Sequence, residues 1–268
     1  MEKDLIKLTI SQGIAHVCLN RPQKINALNY EMFKEIDKII EQISRNKEIN
    51  MVILSGAEGS FCSGLDVKSV ANSPIKALKL LFKGLLGNAN LAQRVSLGWQ
   101  RLPIPVIAVL EGCCYGGGTQ IALGADIRIA APNCQLSIME AKWGLVPDMG
   151  GLVTLRQIMS KDKALMLTYT ADILTAEQAL TLGLGTEVND NPYERAIQLA
   201  QKIIQTSPDA NAAIKRSINQ SWTSSVRSLL ARESLSQIRL LMGKNRIIAV
   251  IRQTKNPDKP YQSRQSWW

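Results

Sequence analysis

Residues 105–123 read PVIAVLEGCCYGGGTQIAL. The apolar run at 106–110 predicts a buried strand, and the residues through Leu123 predict a short apolar helix. Gly116-Gly117-Gly118 joins the two predicted elements, so that a ligand can approach bare backbone N–H groups where a helix starts. This stretch therefore predicts an α/β fold, with either an anion site or tight strand-to-helix packing at its glycines.

The segments before this stretch alternate between strand and helix patterns. Residues 3–10 and 14–19 have the spacing of two strands, Asn29 has the position of a helix N-cap, and residues 51–54 form a short apolar run typical of a buried strand. Residues 67–101 contain leucines at helical spacing that are interrupted by proline and glycine. They are expected to form broken helices and a mobile wall for an apolar substrate.

The segments after it are mostly helical. From Gly150 onward apolar residues recur at helical spacing, apart from a short extended piece at 186–188. The expected division is a β-rich core over residues 1–190, which carries the binding site, and a helical C-terminal region over residues 191–268. The two are not expected to be independent domains, because 268 residues with 46% hydrophobic content can bury the core of one large α/β domain.

Composition excludes several classes of protein. Only 20% of the residues are charged, and no apolar run approaches the roughly 20 residues that span a bilayer. The N-terminus has no signal-peptide pattern, so the expected location is cytoplasmic. The five cysteines lack C-x-x-C spacing and His16 is the only histidine, which argues against disulfides, a metal site and His-dependent catalytic triads.

Positive charge is concentrated near the C-terminus. Residues 201–268 contain twelve lysines and arginines but three acidic residues, and the whole chain has a formal charge of +10. Such a segment could bind the phosphates of a cofactor, nucleic acid or an acidic partner, or could be a solvated helical face. It has no RNP motif, and Trp222, Trp267 and Trp268 are too sparse for a base-stacking platform. Nucleic acid is therefore not the expected partner.

A second turn, Phe61-Cys62-Ser63-Gly64-Leu65-Asp66, also follows a strand pattern, and the motifs of the chain together resemble one family. They are Asn20-Arg21-Pro22, Asn26-Ala27-Leu28, the turn at 61–66, Pro105-Val106-Ile107-Ala108, Gly112, Gly116-Gly117-Gly118, Ala125-Asp126, Glu140 and Gly144-Leu145-Val146-Pro147. In this order and spacing they resemble the enoyl-CoA hydratase/isomerase (crotonase) superfamily over most of the chain. No dinucleotide or P-loop fingerprint is present.

The resemblance implies a crotonase-like (ClpP/crotonase) spiral of ββα units with C-terminal helices that serve trimerisation, in a homotrimer or a dimer of trimers. It implies an enzyme whose substrate is an acyl thioester of coenzyme A and which needs no permanently bound cofactor. By position, the backbone N–H groups of Leu65 and Gly117 would form an oxyanion hole for the thioester carbonyl. The family's contacts to substrate and CoA correspond to Lys24, Ala27, Ser63, Asp66, Val67, Lys68, Gly116 and Gln120.

The reaction depends on the acid/base residues. Hydratases that resemble this chain have two glutamates; here the first position is Gln120, which cannot transfer a proton at neutral pH, and the second is Glu140. One carboxylate can move a proton between two carbons, so double-bond isomerisation is slightly favoured over hydration, with Glu140 as the acid/base. Asp148 stands where dienoyl-CoA isomerases have aspartate, which makes it a second catalytic candidate.

Other roles are open for these residues at this point. Asp148 could be the N-cap of the following helix, Glu140 could be a surface acid, and Gln120 could orient water or substrate. The expected function is that of an acyl-CoA enzyme that isomerises or hydrates an unsaturated substrate. The alternative is a non-catalytic or RNA-binding homologue that uses the basic C-terminal region. In the enzyme, that region is expected to supply a cation for the CoA 3′-phosphate.

Overall fold

Strands and helices alternate along the chain in the computed structural model, which describes residues 4–71, 73–83 and 88–268. The strands are β1 (Ile6–Ser11), β2 (Ile14–Leu19), β3 (Met51–Gly56), β4 (Val106–Leu110), β5 (Cys113–Tyr115), β6 (Ile127–Ala130), β7 (Gln135–Ser137), β8 (Leu174–Thr175) and β9 (Glu187–Val188). The α-helices are α1 (Tyr30–Arg45), α2 (Val67–Ala71), α3 (Pro74–Leu81), α4 (Leu91–Arg101), α5 (Gly117–Leu123), α6 (Gly151–Ile158), α7 (Lys161–Thr170), α8 (Ala176–Thr181), α9 (Pro192–Ile204), α10 (Pro208–Ser221), α11 (Val226–Leu241) and α12 (Lys244–Thr254). No helix within these ranges has the length and apolar character that a membrane span requires.

The strands form two sheets. In the larger sheet the order is β1-β2-β3-β4-β6-β9; β1 and β2 are antiparallel, and the other neighbours are parallel. In the smaller sheet β7 lies between β5, to which it is parallel, and β8, to which it is antiparallel. The order β4, β5, α5 repeats the order β1, β2, α1. The α/β class and the recurring strand-strand-helix unit predicted from the sequence are therefore both present.

Helix α1 and strands β3 and β4 form the centre of the core. The Asn29 side chain accepts a hydrogen bond from the Met32 N–H, as predicted for an N-cap. The apolar side chains that recur at helical spacing along α1 are buried, and α1 packs against α4. All five residues of β4 are buried; parallel strands lie on both sides of it, and α9 packs on it.

The segment predicted as broken helices divides into α2, α3 and α4. Helix α4 begins with a capping box at Asn90 and carries most of the buried side chains of this segment, to which α3 adds Leu80. Helix α3 leaves Leu78 and Leu81 exposed. The leucine spacing in α3 therefore does not mark a core face. Leu85 and Leu86 belong to the same leucine pattern but lie outside the described residues.

The helical C-terminal region is joined to the core by packing and by polar contacts. Helix α9 packs on β3, β4 and β6. The buried Lys215 of α10 donates to the carbonyl oxygens of Trp99 and Ile104, at 2.8 Å each, and pairs with Asp126 at 2.7 Å. Arg264 is also buried. The interpretation of the basic segment as a solvated face is therefore wrong for these two cations.

Candidate active site

The two turns that the sequence singles out meet at one cavity. The cavity has a volume of about 250 Å³ and a largely apolar lining. Residues 63–65 of the first turn and Gly116 and Gly117 of the second line it, together with Glu140 and Asp148. Backbone from two turns and two carboxyl groups therefore share one enclosed space, which is the usual composition of a small-molecule site.

Gly64 brings the first turn against the second. Its φ of +94° favours glycine, and a β-carbon here would lie 2.9 Å from the Tyr115 carbonyl oxygen and 3.7 Å from the Gly117 nitrogen. On the other side, the Leu28 N–H donates to the Gly64 carbonyl oxygen at 2.8 Å, and the Asp66 N–H donates to the Leu28 carbonyl oxygen at 2.9 Å. The backbone of the first turn is therefore held from both sides.

The loop at 20–28 supports the first turn from behind. The guanidinium of Arg21 donates to the carbonyl oxygen of Ala27 at 3.0 Å and to the carboxylate of Asp66 at 2.8 Å. Burial opposes ionisation of Asp66, but hydrogen bonds from Arg21 and from the Ser69 N–H outweigh it and lower the pKa of Asp66. Asp66 is therefore an ionised anchor that joins the loop to the turn.

Two backbone N–H groups lack a protein acceptor where the turns meet. Among the residues that the structure describes, neither the Leu65 N–H nor the Gly117 N–H donates a hydrogen bond. Gly117 is the first residue of α5, so its N–H has no acceptor within the helix. The N–H of Gly116 is satisfied by the Ser137 carbonyl oxygen at 2.9 Å. Two such donors beside a cavity can stabilise negative charge that develops on a ligand oxygen.

Glu140 is the buried carboxyl group of the cavity. It begins the 3₁₀ turn Glu140–Trp143 and is 8% exposed, and a β-carbon at Gly116 would lie 3.5 Å from its Oε1. The interpretation of Glu140 as a surface acid is therefore wrong. Burial raises the pKa of Glu140; a hydrogen bond from Gln120 opposes the rise, and the charge of Asp148 adds to it. A carboxyl group with a raised pKa can both accept and return a proton.

Gln120 lies directly behind Glu140 and is 1% exposed. Its Nε2 donates to Oε1 of Glu140 at 2.6 Å. Its Oε1 accepts hydrogen bonds from the backbone N–H groups of Met149 and Gly151, both at 3.0 Å. The amide therefore makes three hydrogen bonds to protein groups, and contact between Gln120 and a substrate stays a prediction.

Asp148 lines the same cavity as Glu140 but is exposed to solvent. The N-cap of α6 is Gly150, whose φ is +88°, and no side chain caps that helix. The interpretation of Asp148 as a helix cap is therefore wrong. Partial burial among the lining side chains raises the pKa of Asp148. The cavity thus presents two carboxyl groups, one buried and one open to water.

The other residues predicted to contact substrate or CoA lie at different distances from the cavity. Ser63 and Val67 line it, and Ala27 is buried behind the first turn. Lys24 and Lys68 are exposed. The Ser63 hydroxyl donates to the Lys24 carbonyl oxygen at 3.3 Å, which places Lys24 next to the first turn. Two cations therefore flank the turn, and their contact with CoA stays a prediction.

Large apolar side chains complete the lining of the cavity. They include Leu80 and Leu81 of α3 and, from the segment after Glu140, Trp143 and Leu145, which are 60% and 55% exposed. The expectation that residues 67–101 contribute an apolar wall is met by the two leucines. The signal for Trp143 and Leu145 is the apolar sequence that directly follows Glu140, because large apolar residues beside a catalytic candidate often contact a ligand.

Known proteins with similar sequences share a single family. Residues 9–239 match the family described as enoyl-CoA hydratase/isomerase. A short-chain-enoyl-CoA hydratase from Clostridium acetobutylicum is 35% identical over 239 residues, which are 87% of this chain and 88% of that protein. A 1,2-epoxyphenylacetyl-CoA isomerase from Escherichia coli is 30% identical over 220 residues, which are 81% of this chain and 82% of that protein.

A solved structure shows the same fold. The crystal structure of an enoyl-CoA hydratase from Bacillus anthracis has a TM-score of 0.86 and 26% identity, and the match covers 98% of this chain and 100% of that chain. The predicted crotonase fold is therefore confirmed over nearly the whole chain, including the C-terminal helices. Hydratase names dominate among the similar proteins, and the isomerase from Escherichia coli is named for an epoxide, so the names establish the family but not double-bond isomerisation.

Proposed function

The chain belongs to the enoyl-CoA hydratase/isomerase family, and from this membership we propose that it shifts the double bond of an unsaturated acyl-CoA, with Glu140 as the acid/base. The observation that carries the proposal is one buried carboxyl group, Glu140, in a cavity where two turns meet, each with one N–H group that has no acceptor among the described residues. Gln120, which cannot ionise, contacts that carboxyl group.

The thioester carbonyl oxygen is proposed to accept hydrogen bonds from the N–H groups of Leu65 and Gly117. Removal of a proton from the adjacent carbon moves negative charge onto this oxygen. Donors that are already oriented stabilise this charge without reorganisation, and loss of one such donor in other enzymes costs about 10²–10³ in kcat. Because only main chain is required, Leu is acceptable at position 65.

Glu140 is proposed to carry the proton. With a 3-enoyl ester, the Glu140 carboxylate removes a proton from C2, and the electron pair delocalises over a dienolate that extends to C4. The protonated carboxyl group then returns the proton to C4, which gives the 2-enoyl ester and restores the carboxylate. One group suffices, provided that it reaches both carbons from one face.

Hydration is the second candidate, and Asp148 is the observation that favours it. Asp148 lines the cavity together with Glu140 and is open to solvent, so a water molecule could lie between the two carboxyl groups. In that reaction one carboxylate would deprotonate the water that attacks C3, and the other acid would protonate C2. The hydratase name of the Clostridium relative is consistent with this alternative.

A panel of 2-enoyl, 3-enoyl and dienoyl CoA esters distinguishes the two candidates when double-bond migration and water addition are monitored separately. We expect migration of the 3-enoyl double bond to be much faster than addition of water to the 2-enoyl ester. Faster water addition would replace isomerisation by hydration. If no ester reacts while CoA esters still bind, the proposal of catalysis would fail.

We also propose that the protein assembles as a homotrimer or a dimer of trimers through its C-terminal helices. Large apolar side chains are exposed there, including Trp222, Val226 and Met242 at 65%, 72% and 67%. A monomer rarely leaves so many apolar residues of adjacent helices in water. Light scattering should therefore give the mass of three or six chains, and a monomeric mass would contradict the assembly.

A further inference from the structure

The carboxyl group of Glu140 is held asymmetrically. Its Oε1 accepts the hydrogen bond from Gln120 at 2.6 Å. Its Oε2 is buried and has no hydrogen-bond partner among the described residues. A buried oxygen without a partner carries a cost of about 1–3 kcal/mol, so the two oxygens of this carboxyl group are not equivalent.

We propose that Gln120 is a positioning residue that binds Oε1 of Glu140 and holds its carboxyl group in the orientation that the proton transfer requires. This inference rests on the proposed function of Glu140 as the acid/base. It gives the amide at position 120 a role in the reaction, as a donor that does not ionise.

The hydrogen bonds of Gln120 fix the direction of its amide. Its oxygen accepts from the N–H groups of Met149 and Gly151, both at 3.0 Å, and backbone N–H groups can only donate. The NH₂ group must therefore face Glu140. Because an amide does not ionise, it remains a donor at every pH at which the enzyme works, so Oε1 of Glu140 stays occupied.

The same contacts join the two carboxyl groups of the cavity. Met149 and Gly151 follow Asp148 by one and three residues, and the N–H groups of both donate to the Gln120 oxygen. A β-carbon at Gly151 would lie 2.8 Å from Cγ of Gln120, so the packing here leaves little room for movement. Gln120 therefore sets the position of Glu140 with its nitrogen and the position of the Asp148 segment with its oxygen.

Replacement of Gln120 by methionine tests the proposal. Methionine has a similar length and is apolar, so all three hydrogen bonds are lost. We expect kcat for the proposed isomerisation to fall about 10- to 100-fold, because a carboxylate misplaced by about 1 Å transfers a proton poorly, and KM to change little. The Gln120 hydrogen bond lowers the pKa of Glu140. In Gln120→Met the pKa of Glu140 should therefore be higher. The acid limb of the pH profile, where activity appears as Glu140 ionises, should move to higher pH.

A matched control separates positioning from general destabilisation. Thr119 is the preceding residue of α5, is equally buried, and donates to the carbonyl oxygens of Cys114 and Ser137 at 2.6 and 2.9 Å. Thr119→Val should lower the melting temperature but leave the pH profile unchanged. If both variants lower kcat equally and neither moves the acid limb of the profile, Gln120 has only a structural role and the proposal is overturned.

Gln120→Glu provides a second test that does not depend on how well the methionine variant folds. Its carboxyl group can still accept from Met149 and Gly151 but donates to Glu140 only while it is protonated. We expect the pH profile of this variant to gain an alkaline limb that the one-carboxylate mechanism does not give the wild type, because ionisation removes the donor and sets two carboxylates against each other. A wild-type profile in this variant would overturn the proposal. Failure of the proposed function itself is recognised separately, by full activity in Glu140→Gln.

Discussion

The two sides of the cavity are built from different parts of the chain. One side is backbone: Leu65 and Gly117 line the cavity, their N–H groups have no acceptor among the described residues, and glycine at position 64 lets the two turns approach. The other side consists of the carboxyl groups of Glu140 and Asp148, which also line the cavity and which we propose as the groups that transfer protons. Main-chain donors are still present when the side chains around them are substituted. A carboxyl group, in contrast, is removed by a single substitution. We infer that the first side holds the thioester and the second determines the reaction.

The largest expected effect is on the carboxyl side. In Glu140→Gln, we expect kcat for the ester that reacts to fall about 10³-fold, within the range usual for loss of a general acid/base. The amide oxygen can still accept the hydrogen bond from Gln120, so the fold and the affinity for a CoA ester should be nearly unchanged. Steady-state kinetics and calorimetric titration with a saturated acyl-CoA measure the two quantities.

An equal loss of turnover and of binding in Glu140→Gln would contradict the division of the site into two sides. If Glu140→Gln weakens binding as strongly as turnover, the carboxyl group contributes to holding the thioester, and the separation between the two sides is not valid. Activity like that of the wild type would remove the assignment of Glu140.

The next effect is expected on the backbone side. In Gly64→Ala, the new β-carbon would lie 2.9 Å from the Tyr115 carbonyl oxygen, and a φ of +94° is strained for alanine. The first turn must then move away from the second, which displaces the Leu65 N–H. We expect kcat to fall about 10²-fold, as after loss of one oxyanion donor. Kinetics on the same ester as for Glu140→Gln make the two losses comparable.

Gly59→Ala is a matched control for backbone strain. Gly59 also has a positive φ, of +68°, but no atom would lie within 4 Å of its β-carbon among the described residues. We expect a loss of stability of about 1 kcal/mol and unchanged kcat. Similar kinetic losses in both glycine variants would show that strain, and not the displaced donor, limits turnover.

Local sequence signals predicted the backbone side of the cavity more completely than the carboxyl side. Glycines at strand-to-helix junctions have a local signature, which identified Gly64 and residues 116–118. The environment of Gln120 has no such signature. Its partners Met149 and Gly151 lie 29 and 31 residues away and contribute backbone N–H groups, which leave no pattern in side chains.

The same distinction explains which elements the sequence could predict. Helix α1 and strand β4 have enough residues for a clear periodicity, whereas β5 and β8 have three and two residues and form only by pairing with β7. The sequence does not distinguish Lys215 from the exposed cations of the basic segment, because its buried contacts to Trp99 and Ile104 lie 116 and 111 residues away. The contacts that the sequence did not predict are those between residues that lie far apart along the chain.

The smallest expected effect concerns the open carboxyl group. In Asp148→Asn, we expect kcat to fall between about 3- and 10-fold, up to roughly 1.4 kcal/mol in the barrier, if Asp148 assists proton transfer. The melting temperature should change little, because Asp148 is exposed and caps no helix. Thermal unfolding measured beside kcat separates an effect on chemistry from an effect on stability, and parallel losses would contradict a catalytic role.

The pH profile of Asp148→Asn tests how the two carboxyl groups interact. The charge of Asp148 raises the pKa of Glu140, so its removal should lower that pKa. Glu140 would then ionise at lower pH, and the acid limb of the profile should move downward. This is opposite to the shift expected for Gln120→Met, in which a hydrogen bond that lowers the same pKa is lost. If the two variants move the acid limb in the same direction, Glu140 is not the group whose ionisation the profile reports.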